Sequence, residues 1–529
     1  MFRWNQILSG ENKLSSASLI LIVTLALSNL LGWVRLHFLA QKIPTDILDT
    51  YVAAFRLPDL VFNLIVLGAI SSAFIPIFSD YLAKKKEQEA WHIAQCILTL
   101  LVIVLFLLIV PLYFLIPYAT PFLVPYFDPQ KTQTVADLSR IFLLSPLIFG
   151  LSYVVGGILN SFNRFFAYSL APLFYNLAII TGTILFADRF SVYGVAWAVV
   201  VGALLHLSIQ LVPAVKLGLR LRPLVDVTHH AVKKIGLLMI PRILGMAANQ
   251  IMLIVFTALA SVSAGANFIF DSMNNIQTMP TVIFGTSFAT AVFPLLSRHA
   301  ALERKDLFQS DITTMARWVI FLLLPASLGM ILLRAQIVRL VLGSGHFGWD
   351  ETIRAATTLG FFAISLVFSG LIPLLARAFY AMKDTMTPML LSSISAAVGI
   401  GVGYVLIQLG FFDVASSLAL AFSIGAILNA VLLYVAMDRR LGGSLNGSLI
   451  SYTGRVVLAT LVMGLAVQGM KYWVGSIFDI DRVVYLALQT VAAGVTGLVV
   501  YWGVATLLRI PEASHFPKVL WKKYATLQS

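Results

Sequence analysis

Stretches of about 20 apolar residues recur along the chain with only short polar breaks between them. A run of that length spans the hydrocarbon of a bilayer as a helix. Because no water reaches that region, each helix must satisfy its backbone hydrogen bonds internally. The pattern therefore predicts an all-α membrane protein. Spans are expected near 16–39, 50–82, 91–117, 137–160, 168–187, 193–215, 235–261, 266–297, 312–333, 352–380, 387–408, 413–437, 450–471 and 483–508, about fourteen in all. Composition agrees: 59% of the 529 residues are hydrophobic and 11% charged, against about 25% charged in a soluble chain. The first apolar run is too long for a secretory signal core and reads as a retained span. The single Cys96 excludes a disulfide framework and a cysteine-based metal cluster.

The net charge of +13 is distributed by loop, which fits membrane orientation and not nucleic-acid binding. Lys84–Lys86, Arg164, Lys216, Arg220, Arg222, Lys233, Lys234, Arg298, Arg304, Lys305, Lys383, Arg439 and Arg440 fall in one set of loops. The alternate loops hold fewer, among them Lys42, Lys131, Arg189, Arg334 and Arg339. Basic loops stay in the cytoplasm, so both termini are expected there, in the cytoplasmic membrane, with anionic lipid heads as secondary partners.

An internal repeat is suggested by two features. "AFIPIFSDYL" closes the second span and "AVFPLLSRHA" the eighth. Pro76 and Pro294 are 218 apart (294 − 76), as are Ser79 and Ser297. Arg164 and Lys383, each in the loop before a later proline, are 219 apart (383 − 164), and those prolines, Pro172 and Pro388, are 216 apart (388 − 172). The expected organisation is a six-helix lobe at 1–222, a second at 223–445, two further helices at 446–510 and a tail at 511–529. Parallel repeats of this kind are typical of alternating-access transporters.

Several spans carry polar faces. In "AAFRLPDLVFN" (53–63), Arg56, Pro58 and Asp59 interrupt an apolar run. An arginine or aspartate costs roughly 3 kcal/mol at a helix centre, and proline breaks the hydrogen-bond ladder. Arg56, Asp59 and Asn63 share one helical face; so do Asn29 and Arg35 in span one. Asp271, Asn274, Asn275 and Thr278 form an i, i+3, i+4, i+7 stripe in span eight. Polar faces on proline-broken helices line water-filled cavities; alternatively such groups join helices by hydrogen bonds, a reading at least as good for Asn249, Gln250 and Asn429. His206, alone on an apolar helix, is expected to be a packing residue and not a proton relay. His229 and His230 have no ligand cluster nearby.

Gly343-Ser-Gly345-His-Phe-Gly348 fits G-x-G-x-x-G but follows a membrane helix, without the strand that gives that motif meaning. No G-x-x-x-x-G-K-[ST], H-E-x-x-H or nucleophile elbow occurs. The chain is therefore not expected to be an ATP-driven pump or an enzyme, and no cofactor or metal is implied.

The stretches "LSNLLGWVR" (27–35), "LDTYVAAFRLPDL" (48–60), "GAISSAFIPIFSDY" (68–81), "GGILNSFNRFFAYSLAP" (156–172), "MPTVIFGTSFATAVFPLLSR" (279–298) and "ARAFYAMKDTMTP" (376–388) together resemble the MurJ (MviN) family. These are lipid II flippases of the multidrug/oligosaccharidyl-lipid/polysaccharide exporter superfamily. The resemblance implies two six-helix lobes around a central cavity, with spans 13 and 14 forming a groove for the lipid tail. It implies a lipid-linked peptidoglycan precursor as substrate, and a monomer is expected. Arg35 matches a cavity arginine of the family, Asp49 its aspartate at the start of span two, and Arg56 a basic position. Asn29, Leu36, Phe62, Leu67 and Asn275 stand where the family carries charges, and Arg242 is a candidate substitute. The thinner charge set keeps two alternatives open: a flippase for another lipid-linked oligosaccharide, or a drug/cation antiporter. A polyprenyl-phosphate glycosyltransferase, with Asp479 and Asp481 as a close acidic pair, and a non-transporting protein of the same fold are the alternatives of another class. The resemblance does not indicate the coupling ion.

Overall fold

The structure is a computed structural model describing residues 14–67, 74–443, 446–479 and 482–514. Among these residues it is helical, with no strand. Two compact units emerge, Met1–Phe268 with Ser344–Phe347, and Ile269–Gly343 with Gly348–Ser529.

The first unit holds α1 (Leu14–Lys42), α2 (Thr45–Val61), α3 (Ile75–Ala83), α4 (Glu87–Leu123), α5 (Pro129–Phe142), α6 (Leu144–Ser161), α7 (Phe165–Lys216) and α8 (His230–Ala260). At 1.5 Å per residue α7 would be about 78 Å long, more than twice a hydrocarbon core of about 30 Å. It is two arms, because Ser191 takes φ 49° and ψ −138° and breaks the rod. The arms fold back on each other through small residues. A Cβ on Gly182 would lie 2.2 Å from that of Ala198, and one on Gly202 would meet Tyr175 at 2.9 Å. Small residues let membrane helices approach closely enough for dispersion to hold them. The core of this unit gathers Val61, Phe78, Ile93, Val154 and Ile158, all buried, from α2, α3, α4 and α6.

The second unit holds most of α9 (Ala266–Pro280), then α10 (Ser287–Ala301), α11 (Lys305–Leu332), α12 (Arg334–Val341), α13 (Trp349–Ile364), α14 (Leu366–Ala381), α15 (Met386–Leu409), α16 (Val414–Arg440), α17 (Asn446–Ile477) and α18 (Val483–Leu507). One of its cores packs Phe321 of α11 against Tyr452 and Met463 of α17 and Tyr501 of α18. The last two helices are thus fixed to α11. Large apolar side chains remain exposed on the outer helices, for example Phe114 and Phe122 on α4 and Leu465 and Val491 on α17 and α18. In water such a surface would aggregate; in a bilayer it is the lipid-facing skin.

Among the described residues, nine helices are long and apolar enough to cross a membrane, ten if the bent pair Trp349–Ile364 and Leu366–Ala381 is one span. That is fewer than the fourteen expected. The difference has physical causes. The two arms of α7 count as one helix, α2 is interrupted by polar residues and by a segment outside the described residues, and side chains at 14–22 of α1 and 240–246 of α8 also lie outside them.

Backbone irregularities repeat with the period of the sequence repeat. A π-helical turn at Phe62–Leu67 is matched by one at Thr281–Thr286, 219 residues on (281 − 62). Non-glycine residues with positive φ match as Lys85 and Glu303, 218 apart (303 − 85), and Asn163 and Lys383, 220 apart (383 − 163). The break at Ser191 matches Gly410, with φ 67°, at 219 (410 − 191). Each marks a helix end or break, and the four pairs share offsets of 218–220, as a duplicated plan would give.

Prolines inside the helices show how the breaks are tolerated. A proline leaves the carbonyl four residues earlier without its donor. Pro58 frees Ala54 O, which accepts from Ser139 Oγ of α5 at 3.0 Å. Pro117 frees Tyr113 O, which accepts from Arg140 Nε at 3.3 Å. Pro325 frees Phe321 O, which accepts from the Tyr501 hydroxyl at 2.6 Å. In each case a side chain on another helix replaces the missing donor.

Candidate functional site: arginines and polar faces on broken spans

On α2 the expected polar face resolves into groups with different jobs. Arg56 is buried, and its Nε donates to Thr257 Oγ1 of α8 at 2.7 Å. Asn63, just beyond Pro58, turns its amide back onto the backbone carbonyl of Asp59 at 2.8 Å. Asp59 and Asn63 are half-buried. Asp49 is only 1% exposed. Its two carboxylate oxygens accept from the backbone amides of Gly265, at 2.6 Å, and Phe268, at 2.8 Å. Those amides open α9, where helical N–H groups have no partner within the helix. Asp49 therefore serves as a helix cap supplied from a distant part of the chain.

On α1, Asn29 and Arg35 are half-buried. The Nε of Arg35 is buried and makes no hydrogen bond, which leaves donor capacity unused in a planar guanidinium. Arg242 lies on α8, and its side chain is outside the described residues.

In the second unit, α9 has the amphipathic form the spacing predicts. Asp271, Asn274 and Thr278 are half-buried and Asn275 exposed, while Ser272, Met273, Ile276 and Gln277 are buried. Asn275 Nδ2 donates to Asp271 Oδ2 at 3.0 Å, and Gln277 Nε2 to Asn274 Oδ1 at 3.0 Å. The stripe is thus pre-ordered along its own helix.

The sequence reading missed Arg377 on α14. Its Nη1 donates to Thr286 O at 3.2 Å, at the end of the second π-helical turn, and also to Thr290 Oγ1. An ionisable residue within an apolar helix was the available signal. The reading of Asn429 as a packing group is consistent with its Nδ2 donating to Ser392 Oγ at 3.2 Å between α15 and α16. The glycine motif is a turn: Gly345 has φ 62°, and a Cβ there would lie 2.2 Å from Gln41 O. Gly348 precedes α13, its amide donating to Glu351 at 3.0 Å.

Residues 45–502 match the family described as Lipid II flippase MurJ. The chain belongs to that family. A probable lipid II flippase MurJ of Thermotoga maritima is 29% identical, covering 92% of this chain and 94% of its own length. One from Rhizobium meliloti is 28% identical, covering 84% of each. Among solved structures, a lipid II flippase MurJ in an inward closed conformation superposes with a TM-score of 0.74 at 21% identity, covering 92% of this chain and 98% of that one. An inward-facing MATE family multidrug resistance transporter of the MOP superfamily superposes with a TM-score of 0.66 at 14% identity, covering 81% and 99%. Likenesses at these identities establish the fold. The family match and the apolar helices make this chain a multi-pass membrane protein of the MurJ transporter family.

Proposed function

We propose that the protein moves a polyprenyl-pyrophosphate-linked peptidoglycan precursor, lipid II, from the cytoplasmic to the outer leaflet by alternating access. The family match over residues 45–502 carries this reading, and the intramembrane arginines give it a chemistry. Guanidinium forks match phosphate oxygens in pairs. Arg35 on the first span and Arg56 on the second are the pyrophosphate ligands. Asn29, Asp59, Asn63 and the stripe Asp271, Asn274, Asn275 line the path of the sugar-peptide head, with Arg242 as an added cation. Asp49 contributes by fixing the start of α9. The lobes are 1–222 and 223–445, the lipid tail runs in a groove made by 446–510, and both termini are cytoplasmic. The protein works as a monomer. With no nucleotide motif in the sequence, the membrane potential or an ion gradient supplies the drive.

A second reading, a flippase for another lipid-linked oligosaccharide, is favoured by Leu36, Phe62 and Leu67, apolar where the family pattern is charged. Complementation of a flippase-depleted bacterium, with the orientation of the precursor measured directly, separates them. Restored outward precursor supports lipid II; good membrane expression without it removes that substrate.

A further inference from the structure

Inside the first unit, α1, α6 and the two arms of α7 line a half-open cavity of about 280 Å³. Its wall includes Thr24, Ser152, Tyr153, Tyr168, His206 and Gln210. It is large enough for several water molecules, each needing about 30 Å³, and its wall offers the hydroxyl and amide partners that water requires. Among the residues lining it, the titratable groups are Tyr153 from α6, Tyr168 from the first arm of α7 and His206 from the second. The lining groups from α1 are Thr24 and Ser28. Among the described residues, no carboxylate and no lysine or arginine lies in this wall.

At the cavity wall three buried groups are joined. His206 Nδ1 lies 2.7 Å from Ser152 Oγ, and Gln210 Nε2 lies 3.0 Å from Ser152 Oγ and 3.2 Å from His206 Nδ1. The rings of Phe149 and Tyr153 flank the imidazole, with centroids at 5.2 and 6.3 Å. In this arrangement Gln210 donates to Ser152, Ser152 donates to Nδ1, and the ring carries its proton on Nε2. Gln210 Oε1 is left buried without a hydrogen bond, on a side chain only 1% exposed. An unpartnered buried acceptor costs about 1–3 kcal/mol, so its retention beside a titratable ring needs an explanation.

We propose that Ser152, His206 and Gln210 form a proton-binding site reached through this cavity. A hydronium ion in the cavity gives its proton to Nδ1 and leaves as water. Nδ1 then becomes a donor. A half-turn of the Gln210 amide exchanges Nε2 for Oε1, and the formerly unpartnered oxygen accepts from Nδ1–H. Each protonation state thus has its own set of hydrogen bonds from the same three residues. A proton held here gives an ion gradient a place to act on the first lobe; that role rests on the flippase reading, while the site itself does not.

The test is histidine-labelled NMR on the full chain in lipid nanodiscs. The His206 signal is the one lost in His206→Gln. It should titrate reversibly as the pH is lowered from about 8 through about 5, the range in which an imidazole ordinarily changes charge, and below. In Gln210→Leu its midpoint should move by about half a pH unit, roughly threefold in proton affinity. Ser152→Ala, which removes a single oxygen, supplies the same comparison if Gln210→Leu does not fold. An imidazole signal constant across the range, or a midpoint unchanged in the variant, overturns the proposal. The readout is the ring itself, so a failure to flip lipid leaves this result standing, and the reverse also holds.

Discussion

Asp49 Oδ1 accepts a hydrogen bond from the backbone amide of Phe268 at 2.8 Å, across 219 residues of sequence. With Oδ2 on the Gly265 amide, the carboxylate satisfies two of the donors that open α9. Asp49→Asn keeps one acceptor and loses the other; Asp49→Ala loses both. A buried donor left without a partner costs about 1–3 kcal/mol. Thermal unfolding in detergent should therefore rank the parent above Asp49→Asn and Asp49→Ala lowest. If both variants melt with the parent while transport is lost, the carboxylate acts on the substrate instead.

Arg35 and Arg56 answer a different question, since both are expected to hold the head group. Arg35→Ala and Arg56→Ala should leave membrane level nearly intact and abolish or strongly reduce lipid transport. Lysine should rescue only in part, because it keeps the charge and loses the bidentate fork. Arg56 also donates to Thr257, so Thr257→Val is the control for packing, and Arg56→Ala with Asp59→Asn is the control for charge. Recovery of transport in that double variant would make Arg56 a neutraliser of Asp59 and not a ligand.

Sidedness is testable by cysteine labelling in a variant lacking Cys96. Position 85 should be protected from an impermeant external reagent and position 346 labelled. His346 is the better external site than Gly345, because it is exposed and a side chain at 345 would collide with Gln41 O. Labelling at 85 with none at 346 reverses the orientation.

The loop between α7 and α8 carries a pH response outside the membrane. Hydrogen bonds from the Thr228 side chain and from His92, and from the Thr228 and His229 amides, hold the Asp226 carboxyl down at about 2, below its ordinary 3.8. A carboxyl held low when folded contributes order above its unfolded value and loses it as pH falls through the folded one. Hydrogen exchange at the His229 amide, which donates to Asp226 Oδ1 at 3.1 Å, should stay slow down to about pH 4 and quicken toward about pH 2, after correction for intrinsic rates. In Asp226→Asn the step should vanish.

Helix content, the repeat and the broken spans were legible because each leaves a local mark: apolar length, a fixed offset, a proline. The partners of the polar residues were not. Nothing near Asp49 in sequence points to Phe268, and nothing near His206 points to Ser152, since those pairs form only when distant helices pack. The sequence could show that Arg56 is costly in a membrane, but not that Thr257 shares its guanidinium. Arg377 was visible as an ionisable residue in an apolar helix, yet only the π-helical turn at Thr281–Thr286 gives it a carbonyl to hold.

Helices broken by proline are repaired by side chains of other helices. Pro325 has no N–H for Phe321 O, and the Tyr501 hydroxyl of α18 takes that carbonyl at 2.6 Å. Tyr501→Phe keeps the ring and removes the donor, leaving a buried acceptor unsatisfied at a cost of about 1–3 kcal/mol. Pro325→Ala restores the helix's own donor. The hydroxyl then becomes largely redundant, and Tyr501→Phe should cost distinctly less in that background than in the parent. A double-mutant cycle from unfolding in detergent measures the difference, and a coupling of about 1 kcal/mol or more is expected for groups sharing one acceptor. Equal costs in the two backgrounds would mean that the carbonyl never depended on the Tyr501 hydroxyl, and that α18 is held to α11 by packing such as that of Phe321 against the Tyr501 and Trp502 rings.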